Sequence, residues 1–216
     1  MKFYKDKSKA KSYFYYFGWT ILAFFGGFFL VFFLIFQAMF YVKRTERLEI
    51  FIAAHGLKDN NYFDKIQKEF AKEGLLQVNV YSYLEDDINV YNYFSANGED
   101  ADFIIFSETN VKDMQEYISY NYVDVSTLVS DIPCVSEYDT YIYEGTSYGL
   151  KIYDPVDESY NTSHHFQDLI EFNKEGKDKE AYYLLVDKDS PNFDKENKHT
   201  FGYSVLEYLL SDMLTH

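Results

Sequence analysis

The residue types able to bind or transform a ligand are thinly spread along this 216-residue chain, and three short clusters concentrate them. Ala54-His55-Gly56 closes the apolar run "LEIFIAA", Glu85 and Asp86 follow "LQVNVYSYL", and Ser107-Glu108-Thr109 ends "ADFIIFS". An imidazole donates or accepts a hydrogen bond, and carboxylates accept from hydroxyl groups. Hydroxyls beside the backbone N–H groups of a helix start can receive an anion or a hydroxyl. Ser107 and Thr109 read equally well as helix caps, and His55 as an exposed side chain without a partner.

Patterns that would signal catalysis are missing. The chain has no G-x-S-x-G, H-E-x-x-H, G-x-x-x-x-G-K-[ST] or G-x-G-x-x-G. The single cysteine, Cys134, excludes an intrachain disulfide and has no base near it in sequence, so it reads as a small apolar residue. His164-His165 lacks the i, i+4 spacing of paired metal ligands on a helix. Asp187, Asp189 and Asp194 mimic a calcium loop without its central glycine or its terminal bidentate Glu. "NGEDAD" and "LEDD" read as solvated acidic loops, and Asn161-Thr162-Ser163 matches the glycosylation sequon. The expectation is a non-enzyme without cofactor or metal.

The three clusters need a scaffold. The run "EIFIAA" is continuous and apolar, as in a strand buried on both faces. In "NNYFDKIQKEFAKEG", Phe63, Ile66, Phe70 and Ala71 share a helical face, with Asn60 or Asn61 as cap and Gly74 just past the end. "LQVNVYSY" and "ADFIIFS" read as further strands, and "DDINVYNYFSANG" and "NVKDMQEYI" as helices. Strand and helix alternate, which predicts an α/β lobe with a mostly parallel sheet and crossover helices. In such sheets ligands sit outside the carboxyl ends of the strands, where the three clusters fall. Later come a hairpin turning at Glu144-Gly145-Thr146, a short helix "SHHFQDLIEFN", a strand "AYYLLVDKDS" and a closing helix "FGYSVLEYLLSDML".

Between Lys11 and Lys43 there is no charged residue. A run of that length exceeds the roughly 20 apolar residues that span a bilayer. It lacks the short apolar core and small-residue cleavage site of a signal peptide. The predicted order is a basic N-terminus (1–11), one transmembrane anchor (12–42), a connector (43–47) and an extracytoplasmic domain (48–216). Trp19 and Tyr13, Tyr15, Tyr16 and Tyr41 suit the two membrane interfaces, and Gly26-Gly27 could admit another helix. Residues 1–47 hold eight Lys/Arg and two Asp/Glu, so the net −15 of the chain leaves −21 on residues 48–216. The lysines before the span favour a cytoplasmic N-terminus in a single-pass cell-membrane protein. So acidic a domain repels nucleic acid and anionic lipid.

The order of these segments resembles bacterial extracytoplasmic solute-binding proteins of ABC importers, of the carbohydrate type. "LEIFIAAHGLKDNNYFDKIQKEFAKEG" is similar to the first strand and helix of that family. "ADFIIFSETNVKDMQEYISYNYVDVSTLV" resembles its D-hydrophobic-hydrophobic strand and following helix. In "YIYEGTSYGLKIYD", Gly145, Tyr148 and Gly149 match a family hairpin, with Lys151 where proline is usual. "AYYLLVDKDSPN" and "SVLEYLLS" resemble a late strand and helix. The resemblance implies a sugar-like solute and permease subunits as partners, and its hairpin adds Tyr148 to the strand-end ligand site of His55, Gly56, Ser107, Glu108 and Thr109. The family usually has two lobes and about twice this length, and is lipidated or free rather than anchored. Two functions therefore stand open: an anchored solute-binding component, or an accessory or docking subunit that no longer captures solute.

Overall fold

The computed structural model describes residues 7–59, 61–85, 87–173, 179–194 and 201–214, side chains of 7–14 and 38–40 excepted. Asn60 and Asp86, named above as cap and site candidates, lie outside the described residues, as do Lys2 and Lys5. The chain divides into two compact units, Met1–Val42 and Lys43–His216.

The first unit is the helix α1, Lys7–Phe40. Its stretch Tyr15–Gln37 is 23 residues long and wholly unburied, which is long and apolar enough to cross a membrane. By length and composition such a helix fits a membrane anchor or a signal sequence.

The second unit is α/β, built on a mixed six-stranded sheet. Strand β1 (Arg47–Ala54) leads to the two-residue strand β2 (Gly56–Leu57) and helix α2 (Asn61–Glu69). After α2 the chain tightens into a 3-10 turn and stops at Gly74, whose φ of +103° only glycine adopts readily. Then follow β3 (Gln77–Leu84), α3 (Val90–Asn97), β4 (Phe103–Ser107), α4 (Glu108–Asp113) and α5 (Gln115–Asn121). Two 3-10 turns lead to the hairpin β5 (Thr140–Tyr143) and β6 (Thr146–Tyr153). Its two-residue loop holds Glu144 at φ +50° and Gly145 at φ +82°, the paired positive φ of a tight hairpin. The remaining elements are α6 (Glu158–Ser163), α7 (Phe166–Leu169), β7 (Ile170–Glu171), β8 (Tyr182–Val186) and α8 (Gly202–Met213).

Sheet order is β3-β1-β4-β8-β6-β5. Only the β3–β1 and β1–β4 pairs are parallel; β4–β8, β8–β6 and β6–β5 are antiparallel. This corrects the expectation of a mostly parallel sheet. The cause lies in β7, which pairs with β2 just past the end of β1. The chain therefore re-enters at the carboxyl end of the parallel strands, with Tyr182 opposite Ser107, and β8 must run back against β4.

Alternation along β1 separates the two cores. Leu48, Ile50, Ile52 and Ala54 join α2, α7 and α8 on one face, where Ile66, Phe166, Leu206 and Leu210 are buried. Phe51 and Ala53 face α3, α4 and α5 on the other, against Phe94, Val111 and Ile118. Two predicted single helices are each divided. The "NVKDMQEYI" helix breaks at Met114 between α4 and α5, and the "SHHFQDLIEFN" segment forms the end of α6, then α7 and β7.

Candidate functional site

The carboxyl edge of β3, β1 and β4 was the expected ligand edge, and the structure shows where its polar groups are directed. Ser107 is fully buried; its Oγ accepts from Asn110 N at 3.4 Å, so it caps α4. Glu108 N donates to the Ala181 carbonyl at 2.8 Å, and the Glu108 carboxylate pairs with Lys112 at 2.5 Å. Thr109 N donates to the Glu180 carboxylate at 3.0 Å. The first three N–H groups of α4 thus meet partners from the chain itself.

The other strand ends are similarly engaged. Glu85 accepts a short hydrogen bond from the Tyr182 hydroxyl, which also lies 2.5 Å from the Phe172 carbonyl. Burial, with the Glu85 carboxylate second, pushes the Tyr182 phenol far above its ordinary range and keeps it a donor. Gly56 is paired with Glu171 across the β2–β7 ribbon, and His55 beside it is half-buried.

The predicted set is therefore brought together in part. Ile52 lies opposite Ile105, and counting on places Ala54 level with Ser107, so His55, Gly56, Ser107, Glu108 and Thr109 share one edge. Tyr148 does not join them. Gly149 lies opposite Leu185, and Leu185 opposite Ile104, so Tyr148 is level with Phe103. That is four residues from Ser107, about 13 Å along the strands. Tyr148 packs, half-buried, against the α3–α5 core face.

A cavity of about 250 Å³ remains near the same edge, lined by Lys58, Tyr153, Gln167, Glu171, Phe172 and Asn173 among others. Tyr153 and Phe172 stack at 4.7 Å, and Phe172 rests against Tyr182 at 4.8 Å, which makes an aromatic floor. The Asn173 Nδ2 atom is buried and has no hydrogen-bond partner among the described residues. Sequence reasoning missed this cavity, because its walls come from the ribbon β2–β7 and the end of β6, which have no local motif.

The densest polar constellation lies at the opposite, amino edge. Asp102, in the segment read as a solvated acidic loop, has 0% exposure. The correction has a simple cause: Asp102 is the last residue before β4 and must satisfy the start of a buried sheet. Its carboxylate takes both Arg44 Nη atoms at 2.9 Å, Glu49 N at 2.7 Å, Asn192 Nδ2 at 2.9 Å, and the Ser190 hydroxyl. Arg47 Nε pairs with Glu49 Oε1 at 3.0 Å. Burial first, then the charges of Asp189 and Asp102, raise the nearby Asp187 carboxyl to about 6, against an opposing bond from Asp189 N and the Arg44 charge. A cavity of about 410 Å³ opens beside these groups. Arg44, Glu49 and Asp102 each meet an opposite charge, which is the chemistry of a clamp holding the segment after Val42 to β1 and β4. The available signal was the D-hydrophobic-hydrophobic pattern, with Arg44 and Glu49 as unassigned opposite charges.

Among the described residues no group of three or more His, Cys, Asp or Glu could hold a metal ion. Cys134 is half-buried with a free thiol. His164 is buried, its Nδ1 2.8 Å from the Tyr160 carbonyl and its Nε2 3.1 Å from that of Glu137. Neither ring nitrogen is free for ligation or for proton transfer to Cys134.

No protein-family model and no curated protein matches the chain. Among solved structures, the "Maltose/maltodextrin-binding domain MalE from Bdellovibrio bacteriovorus bound to maltotriose" overlaps 49% of this chain and 28% of its own, with 14% identity and a TM-score of 0.33. The chain thus spans little more than a quarter of the length of that sugar-binding protein.

Proposed function

We propose that this chain is a membrane-anchored, extracytoplasmic component of an ABC-type solute-uptake system, built on a shortened lobe of the solute-binding type and working as an accessory or docking subunit. The observation that supports the docking role is the spent carboxyl edge. Glu180 occupies Thr109 N, Ser107 caps Asn110 N, and Tyr182 holds Glu85. A solute would have to displace these bonds to gain its own, and buried polar groups left unpaired weigh heavily against that. The resemblance of segment order supports the transport association, and the lysine excess before the uncharged run supports a cytoplasmic N-terminus.

Solute capture is the second reading. It is favoured by the aromatic-floored cavity of about 250 Å³, with the unpaired Asn173 Nδ2 and the Glu171 carboxylate to orient a hydroxyl-rich ligand such as a sugar. In this reading His55, Gly56, Ser107, Glu108 and Thr109 are proposed contacts at the strand ends beside the cavity, and Tyr148 is proposed from the hairpin motif alone.

Thermal unfolding of the full chain in detergent, with mono- and oligosaccharides, separates the two. A ligand at about 100 times its Kd adds roughly 2.7 kcal/mol. The docking reading expects no shift, with permease subunits co-purifying. A saturable sugar shift removed by Phe172→Ala replaces docking with capture. Protease added to intact cells should cleave the acidic domain; its protection would invert the topology.

A further inference from the structure

The two edges of the sheet are built differently. At one edge β5 has four residues, a register shift between Tyr141 and Ile142, and Asp139 and Glu144 at its ends. Short length, irregularity and charge are the usual protections of an edge strand. At the other edge β3 has eight residues in unbroken register with β1, and no charge or proline from Gln77 to Leu84.

The outward backbone groups of β3 can be identified. Glu49 of β1 faces β4, since its carbonyl accepts Asp102 N, so the even residues of β1 face β3 and the even residues of β3 face outward. Gln67 confirms the direction, its side chain bonding Val78 N at 3.3 Å and the Leu76 carbonyl at 2.9 Å. At the far end the Leu84 carbonyl takes Asp87 N at 3.1 Å. Among the described residues, nothing bonds the outward Val78 carbonyl, the N–H and carbonyl of Val80 and of Ser82, or Leu84 N.

We propose that this edge pairs with the same edge of a second copy of the chain, antiparallel about a two-fold axis through Tyr81 and normal to the sheet. The occupant follows from the hydrogen-bond pattern. With Tyr81 opposite Tyr81 of the second copy, Val80 lies opposite Ser82 and Val78 opposite Leu84. Val80 then exchanges both bonds with Ser82, and Leu84 N meets the Val78 carbonyl. Every free group is used once, and each bond recurs by symmetry. The remaining two groups, Val78 N and the Leu84 carbonyl, face each other in this register and are bonded within the single chain by Gln67 and Asp87, so the Gln67 side chain turns aside when the strands meet. The pairing is isologous and closes. It also keeps the two faces of the sheet in register, because opposed residues point to the same side.

Charge agrees with this register. Counting on, Glu85 lies opposite Gln77 of the second copy and Asp87 opposite Leu75, so the acidic turns are kept at opposite ends of the pair. The exposed Leu76 and Leu84 approach each other diagonally and lose contact with water. In a domain carrying −21, the uncharged strand is where two copies can meet without like charges in contact.

The test uses full-length protein in nanodiscs, with Cys134→Ala removing the native thiol. In the proposed register Tyr81 faces Tyr81 of the second copy as a non-hydrogen-bonded pair, with Cα atoms about 4.5 Å apart, inside the roughly 4.4–6.8 Å that a disulfide spans. Tyr81→Cys should therefore cross-link to dimer on mild oxidation. Tyr83→Cys, about 13 Å from its symmetry mate, should not. Adding Ser82→Pro deletes only an outward donor and should return cross-linking to background with unchanged circular dichroism; the exposed Ser82→Lys should do the same. Equal cross-linking at positions 81 and 83 would overturn the proposal. So would a monomeric mass for the unmodified chain, or a dimer surviving Ser82→Pro and Ser82→Lys, which would assign association to α1 and its Gly26-Gly27 pair.

Discussion

Arg44 grips the fully buried Asp102 with two guanidinium nitrogens, each 2.9 Å from a different carboxylate oxygen. The pair joins residues adjoining the apolar helix to the entry of a central strand. Removing one partner of a buried pair leaves the other charge without compensation, which costs about 3–5 kcal/mol. Asp102→Ala should reach that range, because Glu49 N, Ser190 and Asn192 also lose their acceptor. Arg44→Ala should cost less, since its side chain is 22% exposed and water can reach part of the gap. Urea unfolding checks both, and equal midpoints for variant and parent would remove the clamp from the account.

Asp187 gives the fold a definite response to pH. Its folded carboxyl is raised to about 6 by burial and then by Asp189 and Asp102, above the ordinary 3.8. A raised acid binds its proton more tightly in the folded state. Its contribution is therefore fully present below about pH 4 and is lost as pH rises through about 6. Asp187→Asn should abolish that part of the slope, so the stability difference between variant and parent should grow in the variant's favour from pH 4 to pH 7. Thermal melts across that range check it; a difference that does not change with pH would place Asp187 in water.

Ser107 is expected to matter for stability rather than binding. Loss of a side-chain N-cap costs about 1 kcal/mol. Ser107→Ala should show that loss in denaturant, whereas Glu180→Gln, which keeps an acceptor for Thr109 N, should show a smaller one. A Ser107→Ala protein as stable as its parent would reopen the strand-end hydroxyl as a ligand group.

Asn161, which carries a glycosylation sequon, has its side chain committed to the fold. It is 7% exposed, with its amide oxygen taking Asp154 N at 2.9 Å and its nitrogen giving to the Asp154 carbonyl at 2.5 Å. Asn161→Ala should cost about 1–3 kcal/mol by leaving those groups unpaired. Intact mass of folded protein from a glycosylating host should carry no glycan at this residue.

How much was legible depended on whether the signal was local. The strands β1, β3 and β4 announced themselves through uninterrupted apolar and β-branched runs, and α2 through its helical stripe and terminal Gly74. Glu144-Gly145 marked the hairpin for the same reason: a tight turn needs positive φ there. The position of β8 was hidden, because "YYLLV" carries the same pattern whether it lies at an edge or between β4 and β6. Its direction depended on the two-residue pairing of β2 with β7, too short to leave a periodicity. Asp102 was misjudged because composition alone cannot distinguish a solvated aspartate from one whose partners, Arg44 and Asn192, lie far away in sequence. At the site, the shared edge of His55 and Ser107 followed from topology. Tyr148, taken from a motif rather than from register, lies level with Phe103, four residues from Ser107.

The late, antiparallel β8 also orders events during folding. Phe103 pairs with Val186 and Ser107 with Tyr182, so β4 has an open side until residues 182–186 have been made. Contacts of such sequence separation make loop closure the slow step and lower the folding rate. While β3, β1 and β4 wait for β8, the apolar edge of β4 is available to any extended segment nearby. Chains truncated before Tyr182 should therefore be the aggregating species, and the completion of one five-residue strand is the event that commits the domain to its native sheet.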